Sequence, residues 1–208
     1  MTKIKICGIT NYEDALACIA LEIEYIGFNF YQKSPRYIAP EAAKEIIGRL
    51  PDSGAKFTGV FVNEDFSRLS GIVNFLGLGL VQIHGDENSK YTQTLKKNLP
   101  KIKVIKVIRV KDKTSLAIIS TFNSDYLLFD TYAEDMYGGT GNSFDYNIIK
   151  TKKKFFLAGG INQNNILKAL GQKPYAVDIN SGVEITRGKK DLRKIHEIVT
   201  VIRNEAKY

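Results

Sequence analysis

Cysteine is scarce in this sequence, and long apolar runs are missing from it. Cys7 and Cys18 are the only cysteines among 208 residues, and their spacing matches neither a disulfide framework nor a metal site. No apolar run is long enough to cross a membrane, and residues 1–10 lack the apolar core of a signal peptide. We therefore expect a protein of the reducing cytoplasm with no membrane partner.

Acidic residues are in the minority. The chain has 30 lysines and arginines against 22 aspartates and glutamates, which gives a formal charge of +8. Such an excess favours an anionic ligand, and nucleic acid is the alternative that it raises. The basic residues are scattered in short groups such as 152–154, and no RNA-recognition or DNA-reading motif accompanies them. Solvated surface therefore explains most of the excess, and no nucleic-acid partner is expected.

Short apolar runs alternate with helical segments along the chain. Phe155–Ala158, for example, is too short for a helix and rich in aromatic residues. Eight strands are predicted, over 3–7, 25–30, 56–62, 80–83, 103–108, 126–130, 155–158 and 175–179. Helical crossovers make such strands parallel, and eight of them predict an α/β protein with a closed (β/α)₈ (TIM) barrel in a single domain, 1–208. A doubly wound open sheet is the alternative, but no Gly-x-Gly-x-x-Gly follows the first strand.

Capping residues mark the predicted helix starts. Thr10 or Asn11 is predicted to cap the first helix, Asn63 the third helix and Asn162 the helix after the seventh strand. Pro40 is predicted to open the second helix in its first turn.

Two further segments complete the pattern. The loop over 131–143 contains the glycine-rich stretch 138–141 and is predicted to act as a lid. Residues 192–206 are predicted to form the last helix, with His196 exposed on it.

Glycine turns end the last two predicted strands. Gly159 and Gly160 follow the seventh strand, and Ser181 and Gly182 follow the eighth. Glycine leaves backbone N–H groups uncovered, so such turns can hold an anion, and loops after strands 7 and 8 of a (β/α)₈ barrel commonly bind phosphate. Either turn alone fits an ordinary connection, but two adjacent copies predict a phosphate site.

A thiol, two carboxylates, an imidazole and an arginine converge in the predicted barrel. The carboxyl ends of its strands meet at one mouth, where the polar residues are Cys7, Asn29, Arg36, His84, Asp130 and Asp178. This convergence of reactive groups is the main indication of a functional site.

Each of these residues also has a purely structural interpretation. Cys7 can be a small buried apolar residue, as Cys18 on the first helix is expected to be. Arg36 can lie on the surface, or its guanidinium can bind a planar carboxylate. Three further side chains can each hold their own turn by hydrogen bonds or contact a ligand, and these are His84, Asp130 and Asp178.

Eight segments carry a resemblance to a known family. They are KICGIT (5–10), GFNFYQKSPRYI (27–38), GVFVN (59–63), VQIHGDE (81–87), FDT (129–131), GGTGNSFDY (138–146), LAGGIN (157–162) and DINSGVE (178–184). They resemble phosphoribosylanthranilate isomerase, the tryptophan-pathway family that rearranges N-(5-phosphoribosyl)anthranilate to an aminodeoxyribulose phosphate. The resemblance implies a (β/α)₈ barrel, a small phosphosugar-anthranilate substrate, and an Amadori rearrangement without metal or organic cofactor.

The resemblance also implies roles for individual residues. Asp130 matches the general acid and Cys7 the general base, whose thiolate requires nearby positive charge to lower its pKa. Arg36 matches the residue that pairs with the anthranilate carboxylate. The turns match the phosphate site, while His84 and Asp178 match mouth positions without a fixed role.

Departures from the family pattern are small, and two other functions compete with this one. Asn180 stands where a serine is expected, and Tyr146 where a tryptophan is expected. A histidine-pathway isomerase of the same fold is one alternative, although a second phosphate site is missing after the third and fourth strands. A non-catalytic protein that binds nucleic acid is the other, and it has no need for Cys7. We predict a monomer or a homodimer.

Overall fold

The structure is a computed structural model, and it describes residues 1–132 and 143–205. The glycine-rich stretch of the predicted lid, 138–141, and the predicted helix end at Ala206 lie outside these residues. No helix within the described ranges is long and apolar enough to span a membrane.

Eight parallel strands form a closed barrel in chain order, which confirms the predicted fold. The strands are β1 (Lys3–Cys7), β2 (Tyr25–Asn29), β3 (Lys56–Phe61), β4 (Leu80–Ile83), β5 (Lys103–Val110), β6 (Tyr126–Thr131), β7 (Phe155–Leu157) and β8 (Ala176–Ile179). The barrel closes where β8 pairs with β1, with Lys5 opposite Asp178. Most observed strand ends lie within one residue of the predicted ends, but β5 extends two residues further.

Six α-helices lie in the described ranges. They are α1 (Tyr12–Ala20), α2 (Pro40–Arg49), α3 (Phe66–Leu76), α4 (Ser89–Asn98), α5 (Ile166–Leu170) and α6 (Leu192–Glu205). The predicted starts of α1 and α2 are confirmed, because Asn11 accepts a hydrogen bond from Asp14 N–H and Pro40 is the first residue of α2. His196 on α6 is exposed, as predicted, and Cys18 on α1 is buried.

The other two predicted caps are wrong. Asp65, rather than Asn63, caps α3 by accepting from Ser67 N–H and Arg68 N–H. The Asn63 side chain instead accepts a hydrogen bond from Asp86 N–H in the β4 loop.

After β7, the chain makes an additional turn before α5 begins. Asn162 holds that turn by accepting from Asn164 N–H, and Asn165 occupies the position before α5.

Within the described residues, the outer layer departs from strict alternation after β5, β6 and β8. Between β6 and β7 they contain only a 3₁₀ turn, Tyr146–Ile148. Short 3₁₀ turns over Lys113–Leu116 and Ile119–Thr121 stand between β5 and β6, where a helix is expected. After β8, the chain forms an antiparallel hairpin of β9 (Glu184–Thr186) and β10 (Lys189–Lys190) that the strand pattern did not predict. This hairpin rises beside the mouth of the barrel.

Strand alternation sends side chains alternately outward and into the barrel, and the inward side chains form two layers along the barrel axis. On β1, Ile4 and Ile6 pack outward in the main core, while Lys5 and Cys7 point inward. The interior at the amino ends of the strands is apolar and aromatic, with Tyr25 and Phe156 in edge-to-face contact. At the carboxyl ends the interior is polar, and this layer forms the floor of the candidate site.

Replacing Asp65 by alanine tests the corrected start of α3. Loss of the two hydrogen bonds from the Asp65 side chain to the first helical turn is expected to lower the free energy of unfolding by about 1 kcal/mol. Asp65→Asn retains an acceptor and is expected to lose less. Urea denaturation measures both, and an unchanged midpoint in Asp65→Ala would show that this cap contributes nothing.

Candidate active site

The polar residues predicted at the mouth line one cavity. It has a volume of about 340 Å³ and lies at the carboxyl ends of the strands. The predicted residues that line it are Cys7, Asn29, Arg36, His84, Asp130, Gly159, Gly160, Asp178 and Ser181. Gly182 is the one predicted site residue that does not line it, although its neighbour Ser181 does and Gly182 packs against Ile161, which also lines the cavity.

Cys7 lies at the end of β1 beside a buried ion pair. Lys5 Nζ donates to both carboxylate oxygens of Asp178, each at 2.9 Å, and Lys5 is fully buried. Burial raises the pKa of the Cys7 thiol, and the nearby Lys5 charge offsets this rise only in part. The positive charge that the sequence led us to expect is therefore present and lowers the pKa of Cys7 as predicted, but burial outweighs it and the net pKa is raised.

Asp130 and His84 face each other across the cavity floor. Nε2 of His84 lies 3.2 Å from Oδ2 of Asp130, although the two groups are not aligned as a hydrogen bond. The other Asp130 oxygen accepts from Thr131 N–H at 2.8 Å, so Asp130 also holds its own turn. Nδ1 of His84 lies 3.0 Å from Nε2 of Gln82, and this contact orients the imidazole toward Asp130.

The guanidinium of Arg36 is held by a carboxylate from the hairpin. Nε and NH2 of Arg36 donate to the two oxygens of Glu184 at 2.8 and 2.7 Å, in a bidentate pair that is buried. Lys190 Nζ donates to Glu184 at 3.0 Å. Burial opposes ionisation of Glu184, but Arg36 and Lys190 outweigh it and hold the pKa of Glu184 below its ordinary value. Arg36 is therefore buried, and the interpretation that it lies on the surface is wrong.

The turn after β7 lines the cavity with two glycines. Gly159 and Gly160 have φ angles of +90° and +62°, a conformation that favours glycine. Within the described residues neither N–H donates a hydrogen bond. Their carbonyls are held instead: Tyr146 Oη donates to the Gly159 oxygen at 3.1 Å, and the Asn162 side chain donates to the Gly160 oxygen at 2.9 Å. Tyr146, which departs from the family pattern, therefore supports this turn.

The turn after β8 lies directly against the turn after β7. A Cβ atom at Gly182 would lie 1.9 Å from the carbonyl oxygen of Ile161, so only glycine allows the two turns to meet. Ser181 begins a single 3₁₀ turn that lines the cavity. The side chain of Asn180, the second departure, accepts from Lys190 Nζ at 2.9 Å, so it fixes the turn to the hairpin.

Sequence reasoning missed several residues that line or support the site, among them Gln82, Glu184, Arg187 and Lys190. Gln82 is an inward-facing polar residue on β4, and strand alternation could have indicated it. Glu184, Arg187 and Lys190 belong to the hairpin, which no strand pattern predicted; Arg187 lines the cavity from its tip. Their contacts depend on tertiary structure. Among the described residues, no three His, Cys, Asp or Glu side chains are grouped so as to hold a metal ion.

A family profile and a relative of known name share one description. A family profile described as N-(5'phosphoribosyl)anthranilate (PRA) isomerase matches residues 4–201. The chain is 39% identical over 203 residues to the N-(5'-phosphoribosyl)anthranilate isomerase of Citrifermentans bemidjiense, covering 96% of each chain.

Solved structures agree with the sequence comparison. The phosphoribosyl anthranilate isomerase of Thermus thermophilus superposes with a TM-score of 0.87 at 28% identity, covering 98% of this chain and all of that one. A second structure, with a TM-score of 0.82 at 32% identity over 98% and 100% of the two chains, is described as an isomerase in complex with reduced 1-(o-carboxyphenylamino)-1-deoxyribulose 5-phosphate.

Glu184→Gln tests the buried ion pair. Removing the Glu184 charge leaves Arg36 without its carboxylate in a buried site, and we expect a loss of about 3–5 kcal/mol in the free energy of unfolding. The effect should shrink in acid, because stability from a carboxyl with a lowered pKa is present above its ordinary pKa and is lost as the pH falls through the lowered value.

An exposed glutamate provides the matched control. Glu45→Gln breaks an exposed contact with Arg49 and should cost less than about 1 kcal/mol. Chemical denaturation at neutral and acidic pH compares the two variants, and equal losses would contradict a special role for Glu184.

Proposed function

Because the chain belongs to the N-(5'-phosphoribosyl)anthranilate isomerase family, we propose that Cys7 and Asp130 carry its reaction as general base and general acid. The reaction is the Amadori rearrangement of N-(5'-phosphoribosyl)anthranilate to 1-(2-carboxyphenylamino)-1-deoxyribulose 5-phosphate in tryptophan biosynthesis. The observation that carries the proposal is that Cys7 and Asp130 line one cavity between an arginine and two glycine turns.

The two anionic ends of the substrate orient it in the cavity. The phosphate is held by the N–H groups of the turns at Gly159, Gly160, Ser181 and Gly182, since oriented amides and a 3₁₀ amino end favour negative charge. At the other end, the carboxylate of the anthranilate binds the part of the Arg36 guanidinium that Glu184 leaves available. Fixing both ends places the sugar between acid and base.

Asp130 acts first, as the acid. Its carboxyl gives a proton to the ribose ring oxygen, the C1–O bond breaks, and the nitrogen electron pair forms a protonated Schiff base. Asp130 is buried, with one oxygen held by Thr131 N–H and the other beside His84. His84 orients the Asp130 carboxyl toward the ring oxygen and stabilises the carboxylate that remains.

Cys7 acts second, as the base. Its thiolate takes the proton from C2, and the C–H electron pair forms the C1–C2 double bond of an enolamine, which tautomerises to the ketone. Asp178 is fixed by Lys5 at the same edge of the cavity, where its carboxylate is placed to accept a hydrogen bond from a sugar hydroxyl.

Three further properties belong to this proposal. Acid–base chemistry of this kind needs no metal or organic cofactor. All the proposed groups belong to one chain, which suits a monomer or a homodimer. A base that must remain a free thiol suits the reducing cytoplasm, and Cys7 and Cys18 are free.

The two competing functions are not favoured. The family match covers nearly the whole chain and carries one isomerase name, which disfavours a histidine-pathway isomerase. A non-catalytic nucleic-acid binder leaves the convergence of Cys7, Asp130 and Arg36 in one cavity unexplained.

A coupled assay tests the function directly. Anthranilate, phosphoribosyl pyrophosphate and the transferase that joins them generate the substrate, whose anthranilate-type fluorescence decays as it rearranges. We expect decay well above the spontaneous rate when this protein is added. Folded protein that gives no acceleration would contradict the function. Dialysis of this protein against EDTA before the assay should leave the rate unchanged.

Cys7→Ala and Asp130→Asn are expected to lower kcat by about 10²- to 10⁴-fold each, the usual contribution of a positioned acid or base. Asp130→Asn is isosteric and Cys7→Ala removes a single heavy atom, Sγ, so circular dichroism should show the wild-type fold. Near-wild-type turnover in either folded variant would remove that residue from its proposed role. Cys18→Ala is the matched control and should turn over normally, because Cys18 is buried in α1 away from the cavity.

Arg36→Met should mainly raise KM, because the carboxylate contact exists in the ground state and the transition state alike. The substitution leaves Glu184 with Lys190 as its remaining side-chain partner, so the double variant Arg36→Met/Glu184→Gln separates lost binding from an unpaired buried charge. Steady-state kinetics on both variants make the comparison. A fall in kcat with unchanged KM would place Arg36 in the chemical steps instead.

A further inference from the structure

One buried lysine has no part in the acid–base chemistry described above. Lys5 points into the barrel from β1, two residues before Cys7, and its exposed fraction is zero. A buried ion pair is often no more stabilising than apolar residues of similar volume, so burial with Asp178 does not by itself account for a lysine here. Its position next to the thiol gives it a second possible role.

The Lys5 ammonium has a donor to spare. It carries three N–H groups, and two of them are directed at the Asp178 oxygens, each at 2.9 Å. The carboxylate of Asp178 therefore fixes the position of the ammonium without using all of its hydrogen-bonding capacity.

Gly27 on β2 shows that the ammonium and the thiol share one space. A Cβ atom built on Gly27 would lie 2.9 Å from the Sγ of Cys7 and 3.2 Å from the Nζ of Lys5. Both atoms thus border the same small volume, which is open only because residue 27 has no side chain. A positive charge this near favours the ionised form of a thiol.

The other charges around Cys7 do not replace Lys5. On β8 and β10 the charged groups are Asp178 and Lys190, and Lys190 is held by Asn180 and Glu184. Arg36, which also borders the cavity, is bound to Glu184. His84 follows β4 directly, Asp130 lies on β6, and the two contact each other. Lys5 is the lysine that shares the space beside Gly27 with the thiol, on the same strand and two residues before Cys7.

We propose that Lys5 is a positioning residue whose ammonium, anchored on Asp178 and facing the space over Gly27, stabilises the thiolate of Cys7. Lys5 keeps its own proton throughout. When Cys7 ionises, the ammonium is shared between two anions, and it returns to Asp178 once the thiolate has taken the C2 proton. This inference rests on the proposed role of Cys7 as the base.

Thiol alkylation reports on the Cys7 thiolate independently of catalysis. In a Cys18→Ala background, the rate of Cys7 alkylation by iodoacetamide is measured against pH, and its midpoint gives the ionisation of Cys7. The variants are Asp178→Asn, which frees Lys5 from its anion, and Lys5→Met/Asp178→Asn, which removes both charges and leaves no unpaired one.

The midpoints of the two variants should differ. Asp178→Asn is expected to have a lower midpoint than the Cys18→Ala background, since the Lys5 charge is then no longer shared. The midpoint of the double variant is expected to lie at least one pH unit above that of Asp178→Asn. The alkylation rate near neutral pH should fall about tenfold or more between them. Equal midpoints in the two folded variants would overturn the proposal and leave Lys5 as a structural counter-ion.

A second buried lysine supplies the matched control. Lys106 is 3% exposed and pairs with Glu87 at 3.0 Å, but it does not line the cavity. Lys106→Met/Glu87→Gln should leave the Cys7 midpoint unchanged whatever it does to stability, and a shift as large as that of the Lys5 variants would overturn the proposal. Normal turnover in Cys7→Ala would refute the base instead, so the two failures can be told apart.

Discussion

The barrel depends on the seam at which its last strand meets its first. β8 pairs with β1 there, and the Lys5–Asp178 ion pair lies across the seam on the inner face, at backbone positions that are direct partners. Closure removes the free edges of the barrel sheet, so each of its eight strands pairs with a neighbour on both sides. It also brings the carboxyl ends of all eight strands to one mouth, which is why residues distant in sequence can form a single site.

A second charge network fixes the mouth from outside the barrel. Glu184 binds both Arg36 and Lys190, and Lys190 in turn binds the Asn180 turn. The hairpin therefore connects the end of the cavity assigned to the carboxylate with the end assigned to the phosphate. Rigid placement of both anion sites matters because the reaction requires the sugar to lie between an acid and a base with little freedom.

Burial raises the pKa of both Cys7 and Glu184, but the net shifts of these two groups are opposite. The pKa of Cys7 is raised despite the nearby lysine, whereas paired cations keep the pKa of Glu184 low despite similar burial. The difference lies in the contacts. Glu184 accepts hydrogen bonds directly from two cations, while the thiol shares its cation with a carboxylate. Neither outcome can be read from residue type alone.

The sequence by itself determined the eight-stranded barrel, the positions of most strand ends and nine of the residues that line the cavity. These follow from local patterns: strand alternation places Cys7, His84, Asp130 and Asp178 on the inner face, and strand length places them at the carboxyl ends. The caps of α3 and α5 could not be predicted from composition, because Asn63 and Asn162 resemble caps but hold neighbouring loops.

Only the tertiary structure decided the hairpin, the Arg36–Glu184 pair, the proximity of Lys5 to Cys7 and the pKa direction of Cys7. These properties depend on distances between segments that are far apart in the chain, and on how much water each group loses on folding.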